Sequence, residues 1–282
     1  GRYQQVQFHT WAPDNQMVLS AWRYSFTGVS KINAIIYQVE ASELSDEAKA
    51  SVTAELRGLR AYYYWQLVDK FGNVPITTDF TETDLPTTSS RTAVFSFIEQ
   101  ELKEILPLLP TGVQYGRFTQ NVGYTLLARL YINSEVYTGT PRWQDCLDAC
   151  EKVTGYNLAA YFDNFAIQNE TSPEIIFAVP YDETTGSPIF HCIYAKTQHW
   201  ACKPIYNAGS GGYNGLRAVP SYVKETFDAT DPDHYNDKRY RQSYCMGQQY
   251  DYLTKQPLYF TDGVTPFNYV NEIASIDAAR EF

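Results

Sequence analysis

A chain of 282 residues, 44% of them hydrophobic, has room for one large domain or two small ones, with ample material for a core. Its formal net charge of −10 argues against a nucleic-acid partner, because phosphate binding needs a cationic face. No apolar run reaches the roughly 18 residues that a membrane-spanning helix needs.

The chain opens at Gly1-Arg2-Tyr3 without methionine or export segment, and so reads as a processed or trimmed piece. Residues 1–15 carry turn chemistry at Ala12-Pro13-Asp14-Asn15. Residues 16–39 then read as a helix, with Met17, Leu19, Trp22, Phe26, Val29, Ile32, Ile36 and Val39 near one stripe and Gly28 as a close-packing point.

The next element organises the rest. Ser45 caps it, Asp46 and Glu47 place negative charge in its first turn, and Lys70, Gly72 and Pro75 end it. Val52, Leu56, Leu59, Tyr63 and Leu67 form its apolar stripe. Tyr62, Tyr63, Tyr64 and Trp65 are consecutive and point all round the axis, so this helix of about 39 Å is packed on more than one side. With the preceding helix it makes an antiparallel pair.

Residues 77–91 are a polar loop. Residues 92–106 read as a third helix, with Val94, Phe95, Ile98, Leu102 and Ile105 inward. A fourth, capped by Thr119, is expected over 120–137, with Val122, Leu126, Leu127, Leu130, Tyr131 and Val136 as its stripe. Thr140 and Pro141 open a fifth that Gly155 closes, with Trp143, Leu147, Cys150 and Val153 facing in. Successive pairs suggest stacked hairpins like tetratricopeptide repeats, although the strict consensus is absent.

After Gly155 the texture changes. Residues 174–179, EIIFAV, are bounded by prolines and read as a strand. Beyond 181 the chain is rich in Gly, Pro, Asn, Asp and Tyr, with GSGGYNG at 209–215 as a flexible loop and a short helix over 220–227 capped by Ser221. The expected architecture is therefore mainly α: a single domain over 1–282, with a helical hairpin array over 16–155 and a loop-rich, irregular half with short strands over 156–282.

Chemistry-bearing motifs are sparse. His9, His191, His199 and His234 form no metal-ligand spacing. Asp231, Asp233 and Asp237 share an acidic loop and are weak calcium candidates, since the spacing lacks the glycine and terminal glutamate of the helix-loop-helix motif; a solvated turn accounts for them more simply, and no cofactor is assigned. No nucleophile elbow occurs, and GSGG at 209–212 lacks a phosphate-binding lysine. Of the five cysteines, Cys146 and Cys150 share a helix face but are poorly set for a disulfide, and Cys192 with Cys202 is the pair to test. Arg57, Arg60 and Arg117 are assigned to structure, paired with Glu55, Glu99 or main-chain carbonyls. Trp22, Trp65 and Trp143 are assigned to the core.

The 24 tyrosines are the compositional outlier, fitting either a wet aromatic binding surface or a tyrosine-rich packing core. A sugar ring offers an apolar face and a rim of hydroxyls, so a glycan site needs flat rings with amides or charged groups beside them. Two loop clusters supply these: Trp11 with Asn15, just ahead of the first long helix, and His199-Trp200 with Tyr206 and Tyr213.

The run AELRGLRAYYYWQLVDKFGNVPI at 54–76 resembles the signature of the SusD/RagB family of surface glycan-binding lipoproteins. Trp22, Phe26 and Asn33 fit the family's preceding helix. The Leu-Pro, Gly116-Arg117 and Ala/Leu-rich step into the fourth helix is similar too, as are the stretch from Tyr156 through EIIFAV and the acidic run before Arg239. The resemblance spans about 16–240. It implies a non-catalytic protein at the outer-membrane surface, held by an N-terminal lipid anchor that this stretch does not contain. It further implies binding of oligo- or polysaccharide and delivery to a SusC-like TonB-dependent transporter. It places part of the glycan platform in the loop before the first long helix, at Trp11 and Asn15, and the variable ligand-facing segment near Trp200. The competing readings are a helical-repeat scaffold that binds only protein, and an all-helical glycoside hydrolase.

Overall fold

The structure, a computed structural model, describes residues 2–166, 168–180, 196–206, 211–213, 218–227, 237–244, 246–260 and 262–269. The chain divides into two compact units, Gly1–Val179 and Pro180–Phe282. As the sequence predicts, it is mainly α.

In the first unit a short helix α1 (Arg2–Gln7), which the turn chemistry of 1–15 did not foretell, precedes α2 (Gln16–Glu40) and α3 (Asp46–Phe71). Ser45 caps α3 by accepting from the Ala48 N–H, and Gly72 ends it at φ 69°, a conformation that favours glycine. Of the expected stripe, α3 buries only Leu67. Ala54, Gly58 and Ala61 lie at the centre with Tyr64, Leu67 and Val68, while Val52 is exposed and Leu56, Leu59 and Tyr63 are half-buried. The helix is packed on two sides, and its neighbours approach closest where the side chains are small. Gly58 lies against the Phe118 ring, and Gly28 of α2 against that of Tyr63. Trp22 and Trp65 pack against the core as expected, Trp22 between Phe26 and Phe71.

Helix α4 (Arg91–Ile105), capped by Ser90, runs into a 3₁₀ turn and leads to α5 (Gln120–Ile132), capped by Thr119. Here the expected single helix over 120–137 is corrected. It breaks at Asn133, whose side-chain amide donates back to the Arg129 carbonyl, and resumes as α6 (Ser134–Thr138). The break turns Ser134 and Tyr137 inward, where the Ser134 hydroxyl donates to the Thr140 carbonyl and the Tyr137 hydroxyl to Asp69. It leaves Val136 outward.

The last helix, α7 (Trp143–Glu151), begins later than expected, because the Thr140 carbonyl is already taken by the hydroxyls of Ser134 and Thr138 and Arg142 is drawn to Asp145 and Glu99. It packs through Ala149 and Cys146, so Trp143, Leu147 and Cys150 are exposed rather than inward. Residues 174–179 form no strand. They lack a backbone ladder and dock by side chains, Phe177 lying against Tyr62 and Phe118. The ladder the first unit does have joins β1 (Val74–Pro75) to β2 (Thr88–Ser89), antiparallel.

The arginines tie these helices together, partly through unexpected partners. Arg117 pairs with Glu55, as anticipated. Arg57 and Arg60 instead share Glu101 of α4, and Arg60 also donates to Asn33 of α2. Glu99 is held by Lys103, Tyr131 and Arg142.

In the second unit a 3₁₀ turn (Trp200–Cys202) runs into α8 (Lys203–Tyr206). Helix α9 (Pro220–Phe227) starts on Pro220, so Ser221 lies inside it rather than at its cap. Helix α10 (Lys238–Ser243) is capped by Asp237. Val223, Phe227 and Tyr240 form a small core with Tyr244 and Met246.

Residues 246–269 then make a three-arm meander. Its β3 (Gly247–Gln248) pairs with β4 (Asn268–Tyr269), with bridges Tyr250–Pro257 and Tyr259–Pro266 between the arms. The Leu258 N–H donates to the Gln249 carbonyl at 2.9 Å, Phe267 to Leu258 at 2.8 Å, and Gln249 to Phe267 at 2.8 Å. These three bonds close into a ring. Two turns of one design connect the arms: Asp251 accepts from the Leu253 and Thr254 N–H groups, and Asp262 from those of Val264 and Thr265.

Candidate functional site

The first predicted cluster sits between α1 and α2. The chain leaves α1 through His9, at φ 54°, and brings Trp11 to the surface, 46% exposed, with the His9 ring edge-on at 5.5 Å. Asn15 is buried. Its side-chain oxygen accepts from the Met17 N–H as the cap of α2, and its amide donates to Gln5 at 2.7 Å. Asn15 thus fixes the angle at which the Trp11 loop joins the long helix.

The second cluster lies within the second unit. The His199 Nδ1 accepts from the Ala201 N–H and caps the 3₁₀ turn. Its ring lies 5.1 Å from that of Trp200 and 5.9 Å from that of Phe267, so the turn is anchored on the meander. Trp200 is 58% exposed. Gly211 and Gly212 run against the Trp200 and Gln198 carbonyls, so closely that no Cβ fits at either position. That contact fixes the backbone leading into Tyr213, whose side chain is half-exposed. Cys202, behind the turn, is buried with its Sγ 2.8 Å from the Tyr269 hydroxyl, and the Pro204 carbonyl accepts from the Tyr252 N–H. His199 and Trp200 are therefore brought together on a braced backbone, and the segment that carries Tyr213 lies against the same turn. The Tyr206 side chain and Cys192 lie outside the described residues.

Of the calcium candidates, Asp231 and Asp233 also lie outside them. Asp237 is engaged by Arg239, which holds its carboxyl below the usual range and occupies both its oxygens. Among the described residues no group of three or more His, Cys, Asp or Glu is placed to hold a metal.

Sequence reasoning missed a concavity in the first unit. A cavity of about 550 Å³ is lined by Tyr62, Trp65, Leu126, Arg129, Glu174 and Phe177 among others, with the Arg129 guanidinium 5.5 Å above the Trp65 ring. Glu174 accepts from Asn164 and from the Ala159 N–H, which keep its carboxyl below the usual range. No spacing signals this cavity in the sequence, because it forms only where residues 174–177 fold across α3 and α5.

Residues 2–132 match the family model described as SusD-like, starch-binding and associating with the outer membrane. The starch-binding protein SusD of Bacteroides thetaiotaomicron is 31% identical over 184 residues, covering 61% of this chain and 32% of its own length. A SusD-like protein of Formosa agariphila is 22% identical, covering 58% of this chain and 32% of its own length. The chain thus spans about a third of the length of these curated relatives. Among solved structures, a SusD superfamily protein of Bacteroides vulgatus matches 93% of this chain and 54% of its own, with 20% identity and a TM-score of 0.65. The signature at 54–76, the stacked helical pairs that bury it, and these relatives agree: over residues 2–132 the chain is similar to the SusD/RagB family.

Proposed function

We propose that this chain is a non-catalytic glycan-binding protein of the outer-membrane surface, which captures oligo- or polysaccharide and passes it to a SusC-like TonB-dependent transporter. In this reading residues 16–155 are the frame that docks on the transporter, and residues 156–282 carry the ligand-facing loops of the same domain. The family's description as starch-binding and outer-membrane-associated supports it.

The observation that carries it is the braced surface at Trp200, with His199 beside it. An exposed indole offers a flat apolar face for the C–H side of a sugar ring, and the imidazole beside it offers a hydrogen-bond partner for hydroxyls. The backbone is already held, so ordering it on binding costs little. Trp11 is a second exposed indole, and Asn15 fixes its loop. No bond is made or broken.

The test is a glycan array followed by titration calorimetry, with maltoheptaose as the reference sugar. Trp11→Ala and Trp200→Ala are expected to weaken binding about ten-fold each and leave helix content unchanged. Unchanged affinity in both removes the site. No binding to any glycan, with a protein partner retained, favours the scaffold reading instead, and release of reducing sugar the hydrolase reading.

A further inference from the structure

The meander at 246–269 has two unlike sides. Gln249, Leu258 and Phe267, the residues of the hydrogen-bonded ring, stand at nine-residue spacing and turn to one side, where Gln249 and Phe267 are buried. Side chains alternate along a strand, so their neighbours Gln248, Tyr250, Pro257, Tyr259, Pro266 and Asn268 turn to the other. Five of these six are exposed, and none carries charge, although the chain as a whole is strongly acidic. Tyr250 and Tyr259, 52% and 50% exposed, are diagonal neighbours across the first two arms, about 7–8 Å apart in backbone position. No ring is stacked on either among the described residues. Gln248 lies across the ring, its amide donating to the Gln249 and Leu258 carbonyls at 2.8 Å.

We infer that this outer face is a second carbohydrate-binding surface for an uncharged oligosaccharide, with Tyr250 and Tyr259 as stacking rings and Asn268 as the amide beside them. The inference rests on the glycan-binding reading above. Neutral sugar is the occupant this face fits: its rings and proline edges suit C–H surfaces, its phenols and amide suit hydroxyls, and it has no charge with which to pair an acidic or basic partner. The closed hydrogen-bond ring and the two aspartate-capped turns hold the platform in place before any ligand arrives. The Trp200 cluster packs behind this face, since His199 lies on Phe267 from the buried side, so the two surfaces are separate.

The test titrates the full chain and its variants with maltoheptaose and with the best neutral ligand from a glycan array. Tyr250→Ala/Tyr259→Ala is expected to weaken binding about ten-fold, the loss of two ring contacts. Tyr250→Phe/Tyr259→Phe, which keeps the rings, is expected to stay within about two-fold. Added salt should leave affinity unchanged, because no charge takes part. Should the double alanine variant fold poorly by circular dichroism, the single variant Tyr250→Ala carries the same test with a loss of about three-fold. Wild-type affinity in folded alanine variants overturns this inference and leaves the Trp200 reading standing. Absence of glycan binding by the wild type overturns both.

Discussion

Arg60 of α3 meets Glu101 of α4 at 2.7 Å, with side chains only 7% and 10% exposed. The same guanidinium donates to Asn33 of α2, and the same carboxylate accepts from Arg57. Three helices are thus pinned by one buried charge cluster. Deleting one member strands the others in a low-dielectric interior. Glu101→Ala is expected to lower unfolding stability by about 3 kcal/mol, measured by urea denaturation. Glu104→Ala, which removes the exposed partner of Arg57, should leave the midpoint nearly unchanged.

Glu99 gives a pH prediction. Burial pushes its carboxyl up, but Lys103, Tyr131 and Arg142 outweigh burial and hold it below the ordinary value. A carboxylate depressed on folding contributes stability that is complete above its unfolded pKa, about 4.3, and is lost as pH falls through the folded value. The wild type should therefore lose stability on acidification below about pH 5. Glu99→Gln should flatten part of that slope in thermal melts recorded across pH.

Gly58 lies where the Phe118 ring crosses α3. A methyl there meets that ring, which is buried and wedged by Phe177. Gly58→Ala should cost about 1–3 kcal/mol despite alanine's better helix propensity, read as a lowered denaturation midpoint.

Gly212 braces the candidate platform, since its missing side chain lets the chain lie against the Gln198 carbonyl. Gly212→Ala should displace Tyr213 and weaken glycan binding by about three-fold or more, with helix content unchanged by circular dichroism. Equal affinity would show that Tyr213 is not part of the site.

The frame was legible because its signals are local. Ser45, Thr119 and Gly72 stand where the sequence places the caps, and the long helices follow. What was misread depends on distant contacts. The inward face of α3 went to Ala54, Gly58 and Ala61 because neighbours press from two sides, a fact no single helix contains. The helix over 120–137 broke because Ser134 found a carbonyl beyond it. Residues 174–179 have strand composition, but whether a strand forms depends on a partner strand, and here the side chains docked instead. At the candidate site, the residue types at His199, Trp200 and Tyr213 were visible. That the 211–212 glycines lie against the Gln198 and Trp200 carbonyls was not, because it rests on contact between separate stretches of backbone.

The closed ring of Gln249, Leu258 and Phe267 has one more consequence. Short tyrosine-rich strands ordinarily expose unpaired edges, which recruit strands from other molecules and seed aggregates. Here each arm spends its hydrogen bonds on the next, so at the level of the ring there is no outer edge to extend. The exposed rings of Tyr250 and Tyr259 are thereby carried on strands that offer no free edge at that level to a strand from another molecule.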